Sequence, residues 1–183
     1  MNPRRPPDDP VARIRSGDIG TYETLFRVTH APLVAFVTRI VGTHAAAEDV
    51  VQELFADLWI DRARLEVRTT LRAYLFAAAR NRALNVVRRQ RVELAFERPE
   101  RQEDVRTLHP SPPQPDALLD DNELRQRVAA AIASLPERAR LVMELRWRAG
   151  LTYAEVADAM GISIKGVENQ LARALKRMRE QLG

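Results

Sequence analysis

Five prolines, Pro99, Pro110, Pro112, Pro113 and Pro115, fall within one short stretch of this 183-residue chain. Each lacks a backbone donor and blocks the continuation of a helix. Few large apolar residues lie between Arg98 and Ala117. No packed element can span such a segment. The chain is therefore expected to fold as two small domains, 11–96 and 117–183, joined by a linker over 97–116.

Charge follows the same division. From Asp61 to Val92 nine arginines face two acids, a net of +7; from Glu93 to Arg125 the net is −5; from Ser134 onward it is +3. Two basic blocks flank an acidic spacer. The formal net charge of +4 is by itself a weak sign of a polyanionic partner. All basic residues but Lys165 and Lys176 are arginine. Arginine makes forked contacts to phosphate and guanine, though a GC-rich genome produces the same bias.

The hydrophobic fraction of 45% is that of a globular protein, and aromatics contribute only 5%. Leu, Ala and Val dominate, and no stretch alternates with a period of two. The expectation is an all-α fold without a sheet. With no cysteine, disulfides and thiolate metal sites are excluded, and a reducing cytoplasm is the expected location. No apolar run is expected to reach the length of a membrane span. Met1 to Pro10, proline-rich and charged, is expected to be a disordered leader and not a signal peptide.

In the first domain Tyr22, Leu25, Phe26, Thr29, Leu33, Phe36, Val37 and Ile40 recur at helical spacing. Pro32 is expected to divide this stretch or to open a new turn, and Gly42 to close it. A second helix is expected from Ala45 to Trp59, with Val51, Leu54, Phe55, Leu58 and Trp59 on its inner side. An arginine-rich loop, Ile60 to Thr70, precedes a third helix from Leu71 to about Arg91. In the second domain one helix should span Ala117 to Ser134. Another should begin near Pro136, a first-turn proline, and end before Gly150.

Leu151 to Leu182 carry the sharpest pattern, a helix-turn-helix. Thr152 and Glu155 are spaced as a capping box, and Leu151 and Val156 as a hydrophobic staple. Gly161 suits the left-handed stop, Ile162 the corner, and Ser163 the cap of the next helix. On that helix Val167, Leu171, Ala174, Leu175, Met178 and Leu182 fall within an arc of roughly 100°. Lys165, Gly166, Asn169, Arg173, Lys176 and Arg177 oppose them. An amide and several cations on one face suit the major groove, where Asn and Arg pair with base edges and other groups hold phosphate. The plainer reading is an amphipathic helix pair that only packs, with its charged face solvated.

Two further faces stand out. On the second helix Asp49, Gln52 and Glu53 surround Ala56, a compact acceptor patch suited to a basic helical surface; a solvated outer face is the alternative. On the third helix Tyr74, Asn81, Asn85 and Arg88 form a stripe, flanked by Arg80, Arg82, Arg89 and Arg91. Such groups stack on unpaired bases, bond their edges and hold the backbone. A buried core ring is the competing reading for Tyr74.

On these residues the chain resembles the extracytoplasmic-function sigma factors of bacterial RNA polymerase. The resemblance runs from Val11 to Leu182 and is carried by AEDVVQELFADLW (Ala47–Trp59), LRAYLFAAARNRALNVVRR (Leu71–Arg89) and LPERARLVMELRWRAGLTYAEVADAMGISIKGVENQLARALKRMR (Leu135–Arg179). It implies that Asp49, Gln52 and Glu53 contact the clamp helices of core RNA polymerase. It implies that Tyr74, Arg80, Asn81, Asn85, Arg88 and Arg89 read and melt the minus-ten element, one base being flipped into a pocket. It implies that Ser163, Lys165, Gly166, Asn169, Arg173, Lys176 and Arg177 read the minus-thirty-five element of promoter DNA. A cognate anti-sigma factor is the further partner implied. Many members carry Asp at the position of Asn85 and Trp at that of Tyr74, and both departures bear on base preference.

No enzymatic constellation is present. His30, His44 and His109 form no ligand spacing, and no Gly-rich phosphate loop appears. Neither a cofactor nor a metal is expected. The alternatives are a helix-turn-helix transcription regulator that does not act as a sigma subunit, and a helical adaptor that binds only protein.

Overall fold

A computed structural model of the chain describes residues 9–97 and 119–182, and all regular structure among them is helical. Eight α-helices follow in order: α1 (Pro10–Arg15), α2 (Ile19–Val41), α3 (His44–Ile60), α4 (Leu71–Glu97), α5 (Leu119–Ala133), α6 (Glu137–Met143), α7 (Tyr153–Met160) and α8 (Ile164–Leu182). The chain divides into two compact units, the division falling inside α4 between Arg89 and Gln90. Apart from Glu97, the expected linker 97–116 lies outside the described residues.

The first unit opens earlier than expected. Asp9 caps α1 by accepting from the Val11 N–H at 3.1 Å, and Pro10 is the first helical residue. The leader expectation is thus corrected at Asp9 and Pro10; residues 1–8 lie outside the described residues. Val11 and Ile14 are buried, and this short helix packs on α2 and on the 3-10 turn Arg62–Arg64.

Pro32 does not divide α2, which runs unbroken through it. A mid-helix proline frees the carbonyl four residues back, here that of Val28, an exposed residue whose carbonyl solvent can satisfy. Leu33, Phe36 and Val37, all fully buried just beyond, hold the helix to the core. Gly42 ends α2 at φ 89°, its N–H bonded to the Thr38 carbonyl at 2.8 Å. The turn to α3 is then two residues long, and the two helices pack along their length.

α2 contains an 18-residue window of mean hydropathy 1.2, a value that core helices of globular proteins also reach, and Leu33, Phe36 and Val37 within it are buried in the core. Its apolar side is the floor of the first core. Phe36 meets Phe76 of α4 edge-on, with ring centroids 5.4 Å apart. Ala73, Ala79 and Ala83 on α4 are fully buried, small side chains that let helices approach.

In the second unit α6 begins after Pro136, which stands at the cap position and not in the first turn. The expected helix to Gly150 is α6 followed by a π-helical turn, Glu144–Arg148. The Ala149 N–H bonds five residues back to Glu144 at 3.0 Å. This wider turn keeps Leu145 and Ala149 both buried while Trp147 is carried outward.

The capping box of α7 is formed as expected. The Glu155 N–H donates to Thr152 Oγ1 at 3.3 Å, and the Thr152 N–H to Glu155 Oε2 at 2.8 Å. Leu151 and Val156 are both fully buried. Gly161 closes the helix at φ 62°, and the Ile162 N–H reaches back to the Ala157 carbonyl at 3.0 Å. On α8 Val167, Leu171 and Ala174 are buried, the last packed with Leu135 and Ala139 beside Met143 and Met178. Leu175, expected in the apolar arc, is exposed. It sits at the edge of that arc, where a small angular offset turns a side chain to solvent.

Candidate nucleic-acid interface

Three polar faces emerge, two on the first unit and one on the second. On α3 the core side takes Val50, Val51, Leu54, Phe55 and Leu58. That rotation leaves Asp49, Gln52, Glu53 and Ala56 exposed together. No ion pair ties the two carboxylates down among the described residues, so their acceptor capacity is available. Beside this patch runs a chain of rings. Trp59 lies 4.8 Å from Tyr22, and Phe26 4.8 Å from Phe55 and 4.7 Å from His30. The Arg62 guanidinium sits 4.5 Å over Trp59.

On α4 the inner side takes Ala73, Leu75, Phe76, Ala79 and Ala83. Asn81, Asn85, Arg88 and Arg89 are exposed. The Arg88 guanidinium donates to Asn85 Oδ1 at 2.8 Å, which presents the Asn85 amide group outward. Arg80 is half-buried, and among the described residues its buried Nε has no hydrogen-bond partner. It lies on the flank of α4 and not in the row of Asn81 and Asn85.

Tyr74 falls between its two readings. It is half-buried, and it lines a hollow of about 260 Å³ with Leu54, Asp57, Leu58, Asp61, Arg64, Leu65, Glu66 and Arg82. The floor is apolar, since Leu54, Leu58 and Leu65 are buried, and the rim is charged. Arg82 spans from α4 to Asp57 of α3, with Nη2 2.9 Å from Oδ2. The sequence reading gave Arg82 only a flanking role and missed Asp57, Asp61, Arg64 and Glu66. Asp57 and Arg82 stand 25 residues apart on different helices, and no periodicity links them. The arginine-rich loop was the only available hint.

The third face is that of α8. Ser163 Oγ accepts from the Gly166 N–H at 3.0 Å, so this hydroxyl is engaged as the helix cap. A Cβ on Gly166 would meet Ser163 Oγ at 3.4 Å and Ile162 Cβ at 3.5 Å, ordinary contacts. Lys165 pairs with Glu168 at 3.2 Å and Lys176 with Glu180 at 3.9 Å. Asn169, Arg173 and Arg177 are exposed, and among the described residues neither arginine has an ion pair. The face is a donor surface of two exposed lysines in surface ion pairs, two guanidinium groups and one amide. Among the described residues no group of three or more His, Asp or Glu could hold a metal ion.

Residues 25–93 match the family model described as sigma-70 region 2, and residues 125–178 the one described as sigma-70, region 4. The chain is 31% identical over 174 residues to the RNA polymerase sigma factor CarQ of Myxococcus xanthus, covering 94% of this chain and 95% of that one. It is 26% identical over 175 residues to the ECF RNA polymerase sigma factor SigK of Mycolicibacterium vanbaalenii, covering 94% and 87%. Among solved structures it resembles the sigma factor RpoE in complex with the anti-sigma factor NepR from Bartonella quintana, at TM-score 0.65 and 26% identity, covering 87% and 94%. CnrH, solved with the cytosolic domain of CnrY, gives TM-score 0.65 at 21% identity, covering 94% of each chain, and shows the same fold.

Proposed function

Since the chain belongs to the extracytoplasmic-function sigma factors of bacterial RNA polymerase, and so directs promoter-specific initiation, we propose how its three faces divide that work. Asp49, Gln52 and Glu53 on α3 dock to the clamp helices of core polymerase, an anionic patch against a basic helical surface. The face of α4 takes the unpaired strand of the minus-ten element. Asn81 and Asn85 bond base edges, while Arg88 and Arg89 hold the backbone.

The hollow beside Tyr74 receives one flipped base, which is its most specific role. It is smaller than the roughly 300 Å³ at which sites for drug-sized ligands begin. It also pairs an aromatic wall with polar groups at the rim. A flipped base needs both, stacking to offset its unstacking and edge contacts to be read. The half-burial of Arg80 makes it a flank contact in this scheme. Tyr74 stacks in place of the larger indole common in the family.

The second unit reads the minus-thirty-five element through α8. Asn169 and Arg173 are the base-reading pair; Lys165, Lys176 and Arg177 are phosphate contacts; Ser163 and Gly166 shape the helix start where it meets the backbone. The protein is an initiation subunit and not an enzyme. RpoE and CnrH were solved bound to NepR and to CnrY, and by that likeness an anti-sigma protein is a second partner of this chain.

The observation that carries this reading is the coexistence, on one chain, of an exposed acidic face on α3 and a cationic reading face on α8. Run-off transcription with sigma-free core polymerase and a promoter library tests it. Start-site selection that depends on two elements is expected. Initiation indifferent to promoter sequence would refute it.

A further inference from the structure

Asp57 and Arg82 belong to helices with different duties, one turned to the polymerase and the other to DNA. Their ion pair of 2.9 Å joins α3 to α4 at the edge of the hollow. Three carboxylates, Asp57, Asp61 and Glu66, and two guanidinium groups, Arg64 and Arg82, line that hollow. Without Arg82 the rim would be dominated by acids and would repel a phosphate backbone. Where Arg82 points therefore decides whether a strand can enter.

Its placement comes from Asp57. Arg82 is two-thirds buried and Asp57 half-exposed, so the carboxylate reaches out to meet a guanidinium whose stem is packed. Among the described residues the buried Arg82 Nε has no hydrogen-bond partner, so the guanidinium is held at its outer edge by Asp57. A charge-assisted bond on one edge of the fork orients the remaining donors. Untethered, the same cation would sample any phosphate in reach and add only sequence-independent affinity for duplex.

We propose that Asp57 is a positioning residue for strand opening: it holds Arg82 at the rim of the hollow, where the guanidinium meets the unpaired strand. The inference rests on reading the hollow as the seat of a flipped base. It assigns to α3 a part in opening that is separate from its grip on polymerase.

The test uses the full chain in holoenzyme, with core polymerase saturated, on a promoter carrying 2-aminopurine in the minus-ten element. Asp57→Asn is expected to slow opening roughly threefold to fivefold, the size of one partly exposed ion pair. Closed-complex affinity should not fall. Arg82→Ala should slow opening comparably, and Asp57→Asn should add nothing on that background. Equal effects of Asp57→Asn with and without Arg82 would overturn the proposal, as would unchanged opening or a defect confined to closed-complex binding. Abasic substitutions along the non-template strand separate the two readings. If none slows the wild-type protein, the base-receptor reading fails. If one does while Asp57→Asn has no effect, only the positioning role fails.

Discussion

The hydroxyl of Tyr22 on α2 donates to the main-chain carbonyl of Phe55 on α3 at 2.9 Å, while the two rings meet edge to face with centroids 6.1 Å apart. One side chain thus ties two helices by a polar and an aromatic contact. Burial pushes the Tyr22 hydroxyl pKa up, because the phenolate would be charged in an apolar setting.

Tyr22→Phe removes the hydrogen bond and keeps the ring, so it should cost about 0.5–1.5 kcal/mol at neutral pH. The pH dependence has a defined sign. With the folded pKa above the unfolded one, Tyr22 contributes fully below the unfolded value and less as pH rises through the folded value. Urea melts at increasing alkaline pH should show this decline in the parent and a weaker one in Tyr22→Phe.

Asp18 behaves oppositely. Its carboxylate accepts from the Thr21 N–H at 3.0 Å and pairs with Arg13 at 2.6 Å. The backbone hydrogen bond and then the Arg13 contact hold its pKa below the ordinary carboxylate value. Its stabilisation of α2 is present above the unfolded pKa and lost as pH falls through the lowered folded one. Asp18→Asn, which still caps, should keep the helix start and reduce the acid sensitivity, as thermal melts between neutral and acidic pH would reveal.

Gly161 stands at φ 62°, and among the described residues nothing lies within 4 Å of an added Cβ. Gly161→Ala therefore meets no clash and should lose about 1–2 kcal/mol from backbone conformation alone. Gly161→Asn should lose less, since Asn tolerates the left-handed region. Equal melting temperatures for both variants and the parent would contradict this account.

Glu53→Arg places a cation in the acceptor patch of α3. Like charges across a docking surface cost several kcal/mol, so binding to core polymerase should fall below detection in a pull-down. The circular dichroism melt should stay near that of the parent, because Glu53 is exposed.

Arg173→Ala should weaken minus-thirty-five binding by about 1–3 kcal/mol, and selectively by sequence, if the guanidinium meets a base edge. Arg177→Ala, a phosphate contact in the same scheme, should weaken binding uniformly and lower the salt slope by about 1. Gel shifts at several salt concentrations separate the two.

Much of this was legible residue by residue. Thr152, Glu155, Gly161 and Ser163 specify the helix-turn-helix through bonds that span at most four residues, and such local chemistry is written directly in the order of side chains. The exposure of Asp49, Gln52 and Glu53 follows in the same way from the apolar rhythm of α3. Local reasoning failed where packing overrode it. Pro32 is a helix breaker by propensity, yet α2 passes through it because the buried residues beyond it hold the helix. α1 escaped notice because six residues carry too little periodicity, although Val11 and Ile14 are buried.

The sequence by itself determined the helical class, the break into two parts, the capped turn and the two charged faces, because each depends on near neighbours along the chain. Only the tertiary structure decided that Asp57 meets Arg82, that Tyr74 walls a hollow, and that the π-helical turn sends Trp147 outward. These depend on how separate helices approach one another. A side-chain contact between helices is set by the sum of all their buried surfaces, and no local pattern encodes that sum.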